Sequence, residues 1–186
     1  GDQIGPRPVN FHIAALTSMG AIIKENGNNS YQAEAPNGLR GARIVLPFPS
    51  VGATENIILS AVLAKGRTVI QNAAVEPEIL DLIKFLQKMG AIIGLGANRV
   101  IYIEGVPRLH GASHAIIADR NEAVSLACLA VATNGRVLVK GAQQEDLISF
   151  LNALRRIGGQ YQVMKNGIIF WQERELNGIE LETDTH

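Results

Sequence analysis

The feature that most constrains the fold of this chain is an internal repeat. The pentapeptide MGAII occupies residues 19–23 and returns at residues 89–93, 70 positions later. The same spacing relates LRGA at residues 39–42 to LHGA at residues 109–112. A looser third copy runs from Ile157 to Ile179. Because this period exceeds that of common solenoid repeats, each copy is expected to be a substantial unit of strands and helices.

One full copy of the repeat lies between Leu39 and Arg108 and predicts the order β-α-β-α-β-β. Ser50 is a suitable N-cap for the first helix, and Gly66 is expected to end it after Lys65. Apolar residues of the second helix follow the i, i+3, i+4, i+7 spacing of a helix with one buried side. The predicted elements are a strand at 41–48, a helix at 49–66, a strand at 67–73, a helix at 76–90 and a hairpin at 91–105.

The next copy repeats this order, and cut copies flank the two full ones. Residues 1–38 fit the back half of an earlier copy, and residues 176–186 fit the first strand of a later one. The sequence therefore predicts an α+β chain of about two full and two partial units, with one domain at 1–115 and another at 116–186. The predicted elements of the second copy are a strand at 111–119, a helix at 121–135, a strand at 136–142, a helix at 144–159 and a hairpin that turns at Asn166–Gly167.

Composition excludes several classes of function. The formal net charge is zero and aromatic residues make up 5% of the chain, which argues against a nucleic-acid-binding surface. The sequence has no uninterrupted stretch of about 18 apolar residues, so it predicts no membrane-spanning helix. The single Cys128 lies in an apolar helical stretch and is interpreted as a small buried hydrophobe. The four histidines show no metal-ligand spacing, and His12 is expected to be half-buried and structural.

Three stretches could carry chemistry, and each also has a structural interpretation. Arg7 between two prolines suits a two-pronged contact with phosphate or carboxylate, and Asp2 shares its loop, but both could be ordinary surface residues. The segment 47–57 places a helix start after two prolines, which suits an anion or is simply a capped helix. Glu76 and Glu78 begin the next helix and could be ligands or merely partners of the helix dipole.

Four motifs, GDQIGPRPVNFHI, PSVGATENI, NAAVEPEILDL and ADRNEA, occur in an order and spacing that resemble the UDP-N-acetylglucosamine 1-carboxyvinyltransferases. The resemblance covers nearly the whole chain. It implies an inside-out α/β barrel in which each of two domains holds three β-α-β-α-β-β units, with the active site in the cleft between the domains. On that map the chain is the middle of the enzyme.

The resemblance also implies roles for particular residues. Asp2 stands where the family normally has a cysteine that donates a proton to the enolpyruvyl carbon, and some members carry Asp there naturally. Arg7 matches the arginine that contacts phosphate and phosphoenolpyruvate. The remaining matches are Pro8, Val9, Asn10 and Phe11 for the uridine end, Phe48, Pro49, Ser50, Val51 and Gly52 for the loop at the diphosphate, and Glu76 and Glu78 near the sugar.

The chain departs from the family pattern at several of these positions. Phe48 replaces a frequent lysine and Asn10 a common aspartate. The segment ADRNEAVS differs from the family's PDRIEAGT at Ala118, Asn121, Val124 and Ser125. The family's general base, an aspartate, would lie beyond His186, and its amino-terminal Lys-Asn pair would precede Gly1.

Two functions follow as hypotheses. The first is transfer of enolpyruvate from phosphoenolpyruvate to the 3-hydroxyl of UDP-N-acetylglucosamine in peptidoglycan synthesis, by acid–base addition and elimination, without metal or organic cofactor. This predicts a cytoplasmic enzyme whose partners are these two substrates and the remainder of the enzyme, with no nucleic acid or membrane. The 186-residue chain alone is then expected to be inactive. The alternative is a non-catalytic binding or structural module of the same fold.

Overall fold

A computed structural model describes residues 8–27 and 30–182, and these divide into two compact units between Ala115 and Ile116. The elements of the first unit are α1 (Asn10–Ser18), β1 (Ile22–Glu25), β2 (Tyr31–Glu34), β3 (Arg43–Val45), α2 (Val51–Ala61), β4 (Arg67–Gln71), α3 (Pro77–Lys88), β5 (Ile92–Gly96) and β6 (Val100–Glu104). Those of the second are α4 (Arg120–Ala132), β7 (Arg136–Lys140), α5 (Ile148–Ile157), β8 (Gly159–Met164) and β9 (Gly167–Gln172). A 3-10 turn at Glu145–Leu147 leads into α5.

The first unit contains the complete β-α-β-α-β-β copy that the repeat predicts. Its four-stranded sheet has the order β3-β4-β6-β5, in which β3 runs parallel to β4 and the other neighbours are antiparallel. Alternate residues of β4 and β6, among them Ile70, Ile101 and Ile103, point into the core. Ile57 and Ile58 of α2 and Ile79 of α3 are fully buried in the same cluster.

The repeated MGAII sequence has a repeated structure. Gly20 and Gly90 both have φ of +96° and end α1 and α3 respectively, a conformation that glycine adopts without steric penalty. The chain then forms a hairpin and returns to the carbonyl at the end of the helix. The three equivalent bonds are Arg40 N–H to Met19 O at 2.9 Å, His110 N–H to Met89 O at 2.9 Å, and Asn177 N–H to Ile157 O at 2.8 Å.

The second unit repeats the later elements of the first. Its sheet has the order β7-β9-β8, all antiparallel, and corresponds to β4-β6-β5. The core beneath it contains Leu151, Leu154, Ile168 and Phe170. Met164 pairs with Gly167, so the hairpin turns through Lys165–Asn166, one residue earlier than predicted.

The strand predicted over 111–119 is wrong. No strand forms there, and Ile116 is 83% exposed. One physical reason is that the middle of this segment is attached to α3, because His114 Nε2 lies 2.9 Å from Asp81 Oδ1. A strand also needs a ladder partner, and the edge of β7 is not paired with another described strand.

Three further expectations need correction. The helix α2 ends at Ala61, before Lys65, because the Lys65 amide leaves the helix and donates to the carbonyl of Leu39 at 2.9 Å. Residues 176–182 form no strand, since no neighbouring described strand is available to pair with them. Cys128 is exposed, because the buried side of α4 is formed by Ala123, Ala127, Ala130 and Val131.

Candidate functional site

The starts of α1 and α2 lie side by side in the first unit. The rings of Phe11 and Phe48 meet edge to face, with centroids 5.0 Å apart and planes at 71°. The imidazole of His12, which is half-buried as predicted, lies 3.6 Å from the position that a Cβ on Gly52 would occupy. The structure therefore brings the predicted uridine segment, 8–11, next to the predicted diphosphate loop, 48–52.

Both helix starts carry partial positive charge that no acidic residue in their own first turn offsets. Neither α1 nor α2 has an acidic residue in its first turn, and the cap residue of α1, Val9, offers no side-chain acceptor. Ser50 caps α2 as predicted, although the bond from Ala53 N–H to its Oγ is long, at 3.4 Å. The first amides of a helix have no intrahelical acceptor and carry the positive end of the macrodipole. Two such ends together favour an anion.

The start of α3 is tied to the same end of α2 by a buried hydroxyl. Thr54 in the first half of α2 is fully buried, and its Oγ1 accepts a hydrogen bond of 3.0 Å from the amide of Ala74. Ala74 lies two residues before Glu76. The side-chain amide of Asn72 adds a second tie by donating to the carbonyl of Leu46 at 3.0 Å. These bonds fix where the acidic residues of α3 lie relative to the loop at 48–52.

Glu76 has a free acceptor at this position. Its Oε2 is buried and has no hydrogen-bond partner among the described residues. Unlike the first turns of α1 and α2, that of α3 carries its own carboxylate, Glu78. An unpaired buried carboxylate oxygen is costly unless a donor reaches it, and a sugar hydroxyl is such a donor.

The predicted site residues differ in exposure and in whether the structure describes them. Asp2 and Arg7 lie outside the described residues. The exposed ones are Pro8, Val9, Asn10, Phe48 and Gly52, and the half-buried ones are Phe11, Pro49, Ser50, Val51, Glu76 and Glu78. Within residues 8–27 and 30–182, no group of three or more His, Cys, Asp or Glu side chains could hold a metal ion.

Two positioning residues were missed from the sequence. Thr54 lies within the SVGAT motif, on the same side of the helix as the apolar Ile57 and Ile58, and a hydroxyl among buried apolar residues is the signal that could have identified it. Asn72 has φ of +56°, and an asparagine directly after a strand is a typical residue for that backbone conformation.

The ADRNEA segment has a structural role within the second unit. Asp119 caps α4 by accepting from the amides of Asn121 and Glu122, at 2.7 and 3.3 Å. A cavity of about 330 Å³ opens beside this cap, between α4 and β7. Its lining contains none of the predicted site residues; it is formed by Ala118, Asp119, Glu122, Ala123, Leu126, Leu138, Val139, Lys140 and Ala142.

Comparison with known families agrees with the repeat-built α+β fold described above. A family model described as EPSP synthase (3-phosphoshikimate 1-carboxyvinyltransferase) matches residues 1–185. The chain therefore belongs to the enolpyruvyl transferase family.

Three relatives share the name of one enzyme. The UDP-N-acetylglucosamine 1-carboxyvinyltransferases of Protochlamydia amoebophila and Chlamydia pneumoniae are 50% and 52% identical to this chain over its whole length. A protein of Staphylococcus aureus, UDP-N-acetylglucosamine 1-carboxyvinyltransferase 1, is 43% identical. The chain spans 41% of the length of the first two relatives and 44% of the third.

Solved structures share the fold at much lower identity. The enolpyruvyl transferase NikO of Streptomyces tendae superposes with a TM-score of 0.78 at 20% identity, over 90% of this chain and 42% of that one. An EPSP synthase of Acinetobacter baumannii gives 0.69 at 19% identity, over 95% and 42%. These likenesses confirm the predicted α+β fold of the enolpyruvyl transferase type. None of the described helices is long and apolar enough to cross a membrane.

Proposed function

We propose that the protein containing this chain transfers enolpyruvate from phosphoenolpyruvate to the 3-hydroxyl of UDP-N-acetylglucosamine, as a step of peptidoglycan synthesis in the cytoplasm. The single observation that carries this proposal is the pairing of two helix starts without first-turn acidic residues, at α1 and α2. Two such starts suit a diphosphate, which is the part of a UDP-sugar that carries the charge.

Two observations favour UDP-N-acetylglucosamine as the acceptor substrate: the identity to its named enzymes and the residues at the start of α3. The named UDP-N-acetylglucosamine enzymes are 43–52% identical, whereas the solved EPSP synthase is 19% identical. Glu76, tied to α2 through Thr54, supplies an acceptor for a sugar hydroxyl beside the proposed diphosphate site. Shikimate 3-phosphate, the alternative acceptor in this family, carries no diphosphate.

The remaining roles rest on the resemblance. Arg7 would hold phosphate and phosphoenolpyruvate through its planar guanidinium, and Asp2 would protonate the enolpyruvyl carbon. Pro8, Val9, Asn10 and Phe11 would contact the uridine end, and Phe48, Pro49, Ser50, Val51 and Gly52 the diphosphate. No metal or organic cofactor takes part in this scheme, because proton transfer alone drives the addition and the elimination.

The domain assignment follows the same reasoning. The two compact units would be the later part of one enolpyruvyl transferase domain, 1–115, and the start of the other, 116–186. The rest of the enzyme would supply the general base and the amino-terminal Lys-Asn pair that binds phosphoenolpyruvate. The 186-residue chain alone is accordingly expected to release no phosphate.

The experiment is a phosphate-release assay on the complete protein with phosphoenolpyruvate and each acceptor in turn. The proposal expects release with UDP-N-acetylglucosamine, none with shikimate 3-phosphate, and none from residues 1–186 alone. Release with shikimate 3-phosphate only would overturn the choice of acceptor. Turnover by residues 1–186 alone would overturn the division of catalytic groups.

One observation favours a second candidate function, a non-catalytic module of the same fold. Phe48 is 51% exposed at the position where a lysine would face the diphosphate, and its ring packs on Phe11 instead. A module would bind UDP-N-acetylglucosamine or neither substrate, and with either acceptor it would release no phosphate from phosphoenolpyruvate. The same assay, combined with a binding measurement, separates the two functions.

A further inference from the structure

Three side chains on one side of α3 contact the imidazole of His114. Asp81, Phe85 and Lys88 are spaced i, i+4 and i+7, so they lie along one line of the helix. The Nε2 of His114 is 2.9 Å from Asp81 Oδ1, and its Nδ1 is 3.1 Å from the Nζ of Lys88. The ring also packs on Phe85, with centroids 5.3 Å apart.

These partners define one state of the ring. An ammonium group can only donate, so Lys88 requires an unprotonated Nδ1, while a carboxylate can only accept, so Asp81 requires a proton on Nε2. The His114 side chain is 8% exposed and that of Asp81 is 11% exposed. A hydrogen bond from a fixed donor to a buried, ionised carboxylate is stronger than one between neutral groups.

The chain around His114 has few other attachments. Between Gly111 and Ala118, no backbone group bonds another backbone group of the described residues. Ala115, Ile116 and Ala118 are exposed, with Ile116 at 83%, whereas Ile117 is half-buried and Ala118 lines the cavity beside α4. His114 is also the last residue but one of the first unit, which ends at Ala115.

We infer that His114 is a clasp that fastens the connecting segment to α3 and sets the length of the free linker between the two units. With the clasp closed, the stretch of linker that makes no backbone hydrogen bond to the described residues is Ala115–Ala118. With it open, the linker extends back to Gly111 and doubles in length. This inference concerns the linker alone and does not depend on the proposed function.

The test is limited proteolysis of the complete protein with thermolysin, which cleaves before isoleucine. The bonds followed are Ala115–Ile116 and Ile116–Ile117, because no variant used here alters them. His114→Ser and Asp81→Ala should each raise the cleavage rate at these bonds at least about tenfold, since a hydrogen bond to a charged group is lost. His114→Gln should give an intermediate rate, because its amide can donate to Asp81 and accept from Lys88 but cannot pack as a ring.

The matched control is Ser113→Thr, an exposed neighbour in the same segment, which should leave the cleavage rate unchanged. Equal rates for His114→Ser and Ser113→Thr would overturn the clasp. Where a variant does not fold, the wild-type protein decides through the ¹⁵N signals of its histidine rings. His114, assigned by correlating its ring signals with its own backbone amide, should carry its proton on Nε2 alone; a tautomer mixture would overturn the inference.

Discussion

At the scale of single residues, position 48 decides the charge beside the start of α2. A lysine there would add a cation next to the proposed diphosphate, whereas Phe48 packs on Phe11. We expect Phe48→Lys to lower the KM for UDP-N-acetylglucosamine about fivefold, from roughly 1 kcal/mol of added attraction in solvent-exposed surroundings. The gain should shrink as salt increases. Phe48→Met, similar in length but neutral, is the control, and an equal KM for both variants would contradict the assignment.

Asp2 gives a second prediction at this scale, because the resemblance implies that it stands where the family has the cysteine that the epoxide fosfomycin alkylates. A carboxylate is a much weaker nucleophile than a thiolate, so the complete protein should resist the drug. Asp2→Cys should gain time-dependent inactivation, measured as residual activity together with the mass of the protein. Because Cys128 is exposed, the change must also be made alongside Cys128→Ser. Rapid inactivation of the Asp2 form, with one adduct within residues 1–7, would show that Asp2 is misassigned.

Single residues also show which features can be predicted from the sequence and which depend on tertiary packing. The Ser50 cap was predictable because a serine before an apolar helix has one dominant local use. Thr54 was not, since its partner, Ala74, is 20 residues away and only tertiary packing brings them together. Cys128 was assigned to the core from an apolar sequence, yet which side of a helix is buried depends on neighbours that composition does not specify.

At the scale of elements, the hydroxyl of Thr54 connects α2 to the start of α3. Thr54→Val keeps the shape but leaves the amide of Ala74 without its acceptor in the core, which should cost roughly 1–3 kcal/mol of stability. The same variant should raise the KM for UDP-N-acetylglucosamine more than that for phosphoenolpyruvate, because Glu76 loses its support. Thermal unfolding and steady-state kinetics measure the two effects.

The control is Thr54→Ser, which keeps the acceptor oxygen and loses only a methyl group. It should retain most of the substrate affinity. If Thr54→Val and Thr54→Ser raise the KM for the sugar nucleotide equally, the bond to Ala74 does not position Glu76.

Helices and hairpins could be predicted because their signals are local in the sequence. The strand predicted at 111–119 has no such local basis. The apolar stripe of α3 and the turn of the hairpin at 91–105 are local signals. The helix formed where it was expected, and the hairpin turns at 97–99, one residue later than the predicted 96–98. A strand instead exists only through a partner. The apolar residues of 115–118 resemble a strand, but His114 is engaged by Asp81, and the edge of β7 has no described partner.

At the scale of the whole molecule, the repeat was the most informative signal, because it predicted an architecture from two short identical sequences. The same bond from a returning chain to a helix end recurs at Met19, Met89 and Ile157, which is the physical content of the repeat. The repeat could not predict the site, since the helix starts differ between copies: those of α1 and α2 lack acidic residues, whereas α4 carries Asp119 as its own cap.

The central claim is that the starts of α1 and α2 hold the diphosphate of the sugar nucleotide, and Gly52 tests it most directly. It is exposed, lies in the first turn of α2, and a side chain there meets only ordinary contact with His12. Gly52→Asp places a carboxylate at the helix start, which favours the helix by about 0.3–1 kcal/mol but opposes an anionic ligand. Gly52→Asn, equal in size and neutral, is its match.

The decisive measurement is the KM of the complete protein for UDP-N-acetylglucosamine in Gly52→Asp relative to Gly52→Asn, with the thermal unfolding midpoint of each. The account predicts a KM at least about tenfold higher for the aspartate, since like charges at close range cost more than 1.4 kcal/mol where solvent is partly excluded. The unfolding midpoint should be equal or higher. An equal KM for the two variants would contradict the account.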